Sequence, residues 1–174
     1  MDSIFDKHRS SPLTLPVIYV EGEIDDHELS ALLRTVYIDA GFTDPDIAEK
    51  LFAPAAVRAR GTLVTARDPS TQALLGMIIL VPPGGAARQI ASESEAEVHL
   101  LAVSPDARRR GIGRALIEKL IALAFSKGWR NIVLSTQESM HAAQELYSRT
   151  GFSRIPSRDW TRAGRRFFAF GLCR

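Results

Sequence analysis

Residues 98 to 114 read Val-His-Leu-Leu-Ala-Val-Ser-Pro-Asp-Ala-Arg-Arg-Arg-Gly-Ile-Gly-Arg. A short apolar strand ends at Ser104-Pro105, basic residues and two glycines follow, and an amphipathic helix starts at once through Ala115, Leu116, Leu120 and Leu123. The first amides of a helix have no partner inside it and stand out as donors. The helix dipole adds positive potential at that end. Glycine lets a ligand come close to the backbone, and Arg108, Arg109, Arg110 and Arg114 add charge. These parts together make an anion site suited to phosphate. It is not a Walker loop, because no Gly-Lys-Ser/Thr closes it. It is not a dinucleotide fingerprint, because Leu116 stands where a third small residue is needed. On spacing alone, Gly111-Ile112-Gly113 is equally a flexible helix entry. Just upstream, Glu97 and His99 lie two apart on the strand entering this turn and share one face if the strand is regular. A carboxylate and an imidazole so placed suit proton abstraction, direct or through water. The plainer readings are a half-exposed strand residue and a packing histidine. Glu93 and Glu95 are weaker candidates for the same task.

The elements that must position these groups follow from pattern. Pro16 to Glu21 reads as a strand. Asp25-Asp26-His27-Glu28 is a capping-box-like start, after which Leu29, Leu32, Leu33, Val36 and Ala40 keep helical spacing up to Gly41. Asp44-Pro45 opens a second helix with proline in its first turn, and Pro54 breaks or resets it. Gly61 to Arg67 and Leu74 to Val81 read as strands around the turn Asp68 to Gln72. Pro82-Pro83-Gly84-Gly85 opens a polar loop running to about Ser94. Ala96 to Val103 is the strand feeding the basic turn. Gly111 to Lys127 is helix, Asn131 to Ser135 strand and Met140 to Thr150 helix. Phe152 starts a strand, Ser157 to Gly164 is a loop, and Arg166 to Leu172 is a last aromatic strand whose Phe167, Phe168 and Phe170 read as core. Strands alternating with helices after residue 95 imply parallel pairing there, and the hairpin before it implies antiparallel pairing. The expected fold is an α/β arrangement with a mixed sheet.

Arg108-x-x-Gly111-x-Gly113 after a Leu-Ala-Val strand resembles the acyl-CoA signature of the GNAT superfamily of N-acyltransferases, Arg/Gln-x-x-Gly-x-Gly/Ala. Downstream, Asn131-Ile132-Val133-Leu134-Ser135 is similar to the family's next strand. Ala142-Ala143-Gln144-Glu145-Leu146-Tyr147-Ser148-Arg149-Thr150-Gly151-Phe152 resembles its Ala-x-x-Leu-Tyr-x-x-x-Gly-Phe helix end. The close match spans roughly residues 95 to 154. One position departs from it: the family often carries Asn seven residues before this tyrosine, and here Met140 stands there.

The resemblance implies a mainly antiparallel central sheet with a parallel pair at the acyl-CoA site and helices on both faces. It implies N-acetyl transfer from acetyl-CoA to an amine in a ternary complex, with no covalent enzyme intermediate and no metal. In that reading the backbone of Leu101, Ala102 and Val103 bonds the pantetheine arm. The amides from Arg109 through Arg110, Gly111, Ile112 and Gly113 to Arg114 hold pyrophosphate. Arg108 and its basic neighbours add charge, with a 3′-phosphate within their reach, and Ala143 lies in the helix against the same ligand. Tyr147 donates to the leaving thiolate, as a phenol that stays protonated at pH 7. Most amines are protonated at that pH, so a base is needed; Glu97 is the first candidate and His99 the second. Trp160, in the loop near the sheet's open end, is placed to line an acceptor pocket.

Composition sets outer bounds. At 174 residues, 45% hydrophobic and 24% charged, the chain suits one globular domain, here residues 16–174 behind an arm at 1–15 that reads as flexible. Cys173 is the only cysteine, so no internal disulfide or cysteine-zinc cluster forms. No segment reaches the roughly 20 apolar residues of a spanning helix and no cleavable leader is evident, so a soluble cytoplasmic protein is expected. Net charge is only +2, and no aromatic-basic RNA motif is visible, so nucleic acid is not an expected partner. A homodimer is compatible with the sequence. Charge is unevenly spread: residues 21–50 hold nine carboxylates against Arg34 and Lys50, and residues 149–174 hold seven arginines against Asp159. Faces that pair with each other would explain this. So would a polarised acceptor site, for a cationic amine at the acidic end or a carboxylate at the basic one. A non-catalytic acyl-CoA-binding domain is the rival reading, favoured by Met140 and opposed by Tyr147.

Overall fold

The computed structural model describes residues 17–22 and 24–174; the arm expected at 1–15 lies outside them. Eight strands form one sheet: β1 (Ile18–Glu21), β2 (Thr62–Arg67), β3 (Leu74–Val81), β4 (Ala96–Val103), β5 (Asn131–Gln137), β6 (Ser153–Arg154), β7 (Trp160–Arg162) and β8 (Arg165–Cys173). Their order is β1-β2-β3-β4-β5-β8-β6, with β7 also on β8. Only β4 and β5 pair in parallel; the other pairs are antiparallel. This is the mixed sheet expected from the sequence.

The helices cover both faces. On one lie α1 (Asp26–Leu33), α2 (Pro45–Leu51) and α3 (Pro54–Arg58); on the other lies α4 (Ile112–Ser126), and α5 (His141–Arg149) follows β5. Alternation along β3 feeds two cores, because successive strand side chains point to opposite faces. Ile78 and Leu80 pack with Leu116, Ile117 and Leu120 of α4. Met77, Ile79 and Val81 pack with Leu29, Leu33 and Val57. The start of α1 is capped as the sequence suggests, with Asp25 Oδ1 accepting from the His27 and Glu28 amides at 2.9 and 3.2 Å. The expected continuation to Gly41 is different in kind. After Leu33 the helix widens into one π turn, Arg34–Ile38, before Gly41 ends it at φ +76°.

Two irregularities position the site. In β4, Leu100 has φ +48° and the register against β3 shifts between Met77 and Ile79. This bulge inverts the strand's faces. Ala96 and Val98 lie in the core beneath α4, whereas Ala102, of the same parity, lies in the core beneath α1–α3. The parallel pairing of β4 with β5 covers only Ala96↔Ile132, Glu97↔Val133 and Val98↔Leu134. Beyond it β4 runs on along β3 to Val103 and β5 along β8 to Gln137, so the two strands part.

The C-terminal region differs from the sequence reading. The strand expected from Phe152 is only Ser153–Arg154. The expected loop 157–164 contains a 3-10 turn, Pro156–Arg158, and the strand Trp160–Arg162. That strand forms a two-residue hairpin with β8 through Ala163 and Gly164, whose φ values are +48° and +72°. Two positive values are the mark of the turn that matches strand twist.

Candidate active site

A cavity of about 980 Å³ occupies the gap where β4 and β5 part. The π turn and α2, the Arg108–Arg114 turn, α5 and the β7–β8 hairpin wall it. That volume is near the upper end for small-molecule sites.

The basic turn forms one end. The first main-chain bond of α4 runs from the Ala115 amide to the Gly111 carbonyl at 3.0 Å, and no side chain caps the helix. The amides before Ala115 are therefore free donors. Arg109 and Gly111 both have left-handed φ, +61° and +77°, which curls successive amides toward one point, as in an anion nest. The two glycines do different work. A Cβ on Gly111 would meet nothing within 4 Å, so its φ is what requires glycine. A Cβ on Gly113 would lie 3.2 Å from Leu146 Cδ2, so that glycine lets α4 pack against α5. Arg108, Arg109 and Arg114 line the cavity, with Arg114 also paired to Glu118 at 2.7 Å. Arg110 does not line it: its charge acts on Tyr19 instead, and its Nη2 is buried without a hydrogen bond. Ile112 lends its backbone, since its side chain is core.

Along β4, Leu101 and Val103 line the cavity and Ala102 does not. The bulge turns Ala102 into the opposite core. Glu97 is also off the cavity. It is 0% exposed, and its carboxylate accepts from the amides of Gln89, Ile90 and Ala91 at 2.8, 3.3 and 3.2 Å. Burial alone would raise its pKa, but His99 and these amides outweigh it and hold the carboxyl below the ordinary range. A carboxylate so committed anchors the loop before β4, and Glu97, the first candidate for the base, stands off the cavity. Its contribution to stability is complete above the usual carboxylate range and is lost as pH falls toward the depressed native pKa. Glu97→Gln would turn an amide NH2 among three N–H donors. It should lower unfolding free energy by about 2–4 kcal/mol, read as a lower urea midpoint at unchanged slope.

His99 does line the cavity and is 8% exposed. Its Nε2 lies 3.2 Å from Glu97 Oε1, yet neither ring nitrogen has a well-aligned hydrogen bond. Glu97 and His99 thus meet, as two positions on one strand face should.

Tyr147 reaches the cavity from α5, as do Ala143 and Leu146. Its ring is wedged 6.0 Å from both Phe152 and Phe170. Its hydroxyl makes no hydrogen bond among the described residues, yet it is not sealed off. Burial pushes its pKa above the ordinary phenol range, so the phenol stays a donor. Sequence reading missed a second phenol. Tyr37 sits in the π turn, at a position the helical spacing marks as core. Its hydroxyl donates to the Leu101 carbonyl at 2.9 Å, just past the bulge. Burial and then the nearby Tyr147 raise its pKa.

The far end of the cavity holds Trp160, stacked on Phe167 at 4.4 Å. Of the three aromatics read as core, Phe170 is buried, Phe168 packs at the core's margin, and Phe167 faces the cavity. Asp159 fixes the hairpin. It accepts from Arg154 at 2.8 Å and from the Ala169 amide at 3.0 Å, which hold its carboxyl down at about 2. Gln137 donates to the Phe42 carbonyl at 2.6 Å, and Arg60 also faces this end; no motif announced either. The charge asymmetry is paired in part: Asp26 with Arg58, Glu28 with Arg67 and Glu95 with Arg158, while among the described residues only Asp44 with Arg165 joins the acidic segment to the arginine-rich one. Among the described residues no helix is long and apolar enough to cross a membrane.

The sequence pattern described as the acetyltransferase (GNAT) family matches residues 27–152. The chain is 39% identical over 72 residues to a mycothiol acetyltransferase of Geodermatophilus obscurus, covering 41% of this chain and 23% of that one. It is 41% identical over 59 residues to the ribosomal protein bS18-alanine N-acetyltransferase of Escherichia coli K12, covering 34% of this chain and 40% of that one. The chain thus spans less than half the length of either curated relative. In three dimensions it is similar to an acetyltransferase of Streptococcus agalactiae, with a TM-score of 0.69 at 18% identity over 91% of this chain and 98% of that one. It also resembles a Bacillus subtilis acetyltransferase solved in complex with CoA, with a TM-score of 0.65 at 21% identity over 91% and 99%. At these identities the likeness is one of fold.

Proposed function

Because the chain belongs to the GNAT family of acetyltransferases, we propose that it moves the acetyl group of acetyl-CoA to a primary amine of a small molecule, directly and in one ternary complex. One observation carries this reading. The gap between β4 and β5 opens onto the uncapped start of α4 at one end, and Tyr147, whose hydroxyl has no hydrogen bond among the described residues, lines the same cavity.

Acetyl-CoA supplies an activated thioester; the chain's residues bind, orient and move protons around it. The free amides from Gly111 to Arg114, with Arg108 and Arg109, suit a pyrophosphate. The edge of β4 left unpaired past Val98 suits an amide-bearing arm laid along it like an added strand. Tyr37 holds the Leu101 carbonyl and so fixes the bulge. Tyr147 gives a proton or a hydrogen bond to the leaving sulfur. His99 takes the proton from the amine, through water, with the Glu97 carboxylate behind it to orient the ring. With Nε2 turned to Glu97 Oε1 at 3.2 Å, Nδ1, which has no partner among the described residues, is the nitrogen that such a relay leaves to a water. The lone Cys173 is exposed at the end of β8 and does not line the cavity, consistent with transfer that uses no cysteine nucleophile.

The test is free thiol release from acetyl-CoA on addition of amines. Amine-dependent release supports the reading. CoA binding with no turnover across a wide amine panel would instead make this an acyl-CoA-binding domain.

A further inference from the structure

We propose that the acceptor amine also carries a carboxylate, and that Arg60 and Arg162 bind it at the far end of the cavity. The proposal rests on the acetyltransferase reading above and names its substrate class.

The charge on the cavity wall is one-sided. Among the described residues, Asp44 is the only carboxylate that lines it, and Arg165 already neutralises Asp44 at 2.8 Å. A cationic acceptor would find no free anion. Arg60 and Arg162 are in the opposite state. Both line the cavity, and neither has a carboxylate partner among the described residues. Arg60 makes one hydrogen bond, from Nη2 to the Leu51 carbonyl at 2.5 Å; Arg162 makes none. Burial, and to a smaller extent the charge of Arg162, weigh against the Arg60 charge. Unlike most surface arginines, this pair is held together by the fold. Arg60 sits between α3 and β2. Arg162 is carried over it by the hairpin, which Arg165 ties to the Gly41 carbonyl at 2.9 Å and to Asp44. Two like charges facing one cavity without a counterion are unfavourable. A ligand carboxylate relieves that, and guanidinium forks suit its geometry.

Two further features fit the same ligand. The Trp160 indole Nε1 is buried with no acceptor, a third donor in the same wall. The stacked Trp160 and Phe167 rings present a flat apolar surface, which suits the body of an apolar amino acid. The anion end also connects to the reacting end. Arg60, Arg162, Tyr37 and Tyr147 all line the one cavity, so a single molecule in it faces both ends.

The experiment uses the full chain with CoA, in a Trp129→Phe background so that Trp160 alone reports. N-acetylamino acids, as product probes, are titrated against their matched carboxamides, which keep the shape but lose the charge and one acceptor oxygen. At least one apolar N-acetylamino acid should bind about tenfold or more tighter than its amide, the size of a lost charge-assisted hydrogen bond. Arg60→Gln and Arg162→Gln should each erase most of that preference while leaving CoA affinity unchanged. Arg162 is exposed, so its variant keeps the fold even if the Arg60 variant does not. If no N-acetylamino acid outbinds its amide, if the preference survives both substitutions, or if CoA binding falls with them, the proposal is overturned. Failure of the wild-type chain to bind CoA at all is a different result, and it overturns the acetyltransferase reading itself.

Discussion

Gly111→Asp should bind CoA roughly a hundredfold more weakly than Gly111→Asn, measured by calorimetry on folded protein. The pair is chosen because the site imposes two separate demands. Gly111 has φ +77°, a conformation that costs an ordinary residue roughly 1–2 kcal/mol and that Asn and Asp tolerate best. Both variants therefore carry similar strain and similar bulk, and a side chain there meets no neighbour within 4 Å. What differs is one negative charge at the mouth of an amide nest. Unit charges about 4 Å apart interact by about 4 kcal/mol at the effective dielectric of a protein surface. Solvent at this open turn reduces that toward the 2.7 kcal/mol or so that corresponds to a hundredfold. The gap between the variants should narrow as salt is raised, because screening acts on the charge and not on the shape. Equal affinities at low salt would mean that no anion sits at the start of α4, and the assignment of the turn would fall.

Tyr147→Phe should lower the rate constant for acetyl transfer by roughly 10²–10³-fold, the range for losing a proton donor or a preorganised hydrogen bond at a reacting atom. The CoA dissociation constant and the unfolding free energy should barely move. The reason for the separation is geometric. The ring does the packing, against Phe152 and Phe170, and Phe keeps it. Among the described residues the hydroxyl has no hydrogen-bond partner to lose. Negative charge grows on sulfur only as the C–S bond breaks, so a donor there acts on the transition state more than on the ground state. Burial raises the Tyr147 pKa, and the donor is the protonated form. In the wild type, then, the rate should show no alkaline decline from this group up to about pH 10, the ordinary phenol value. An unchanged rate constant would leave Tyr147 as packing alone. A loss of stability alongside the loss of rate would say the same.

The site was unevenly legible in the sequence, and the division follows the range of the interactions involved. Local rules act over a few residues, and they announced local features. Asp25 as a cap, Gly41 at the end of its helix, the strand–turn–helix around Arg108–Arg114 and the helix carrying Tyr147 each depend on neighbours within a turn or two. The mixed sheet followed from the order of such elements, and the motif pair supplied the family. The misses share another cause. Strict alternation along β4 would put Glu97, His99, Leu101 and Val103 on one face. The bulge at Leu100, a non-glycine residue at φ +48°, inverts the faces midway, so Glu97 turns from the cavity to three backbone amides of a preceding loop. The β7–β8 hairpin was hidden because Ala163 occupies a left-handed turn position where Asn or Asp would have signalled it. Tyr37 and Arg60 come from segments without motifs, far in sequence from the basic turn. Their roles arise only when the parting of β4 and β5 brings the π turn, the α3–β2 junction and the hairpin around one space. The sequence by itself determined most of the elements, the basic turn at the start of α4 and the family. Which acids and bases face the cavity, and that its far end is cationic, were decided by pairings between residues up to 124 positions apart, and no local pattern encodes those.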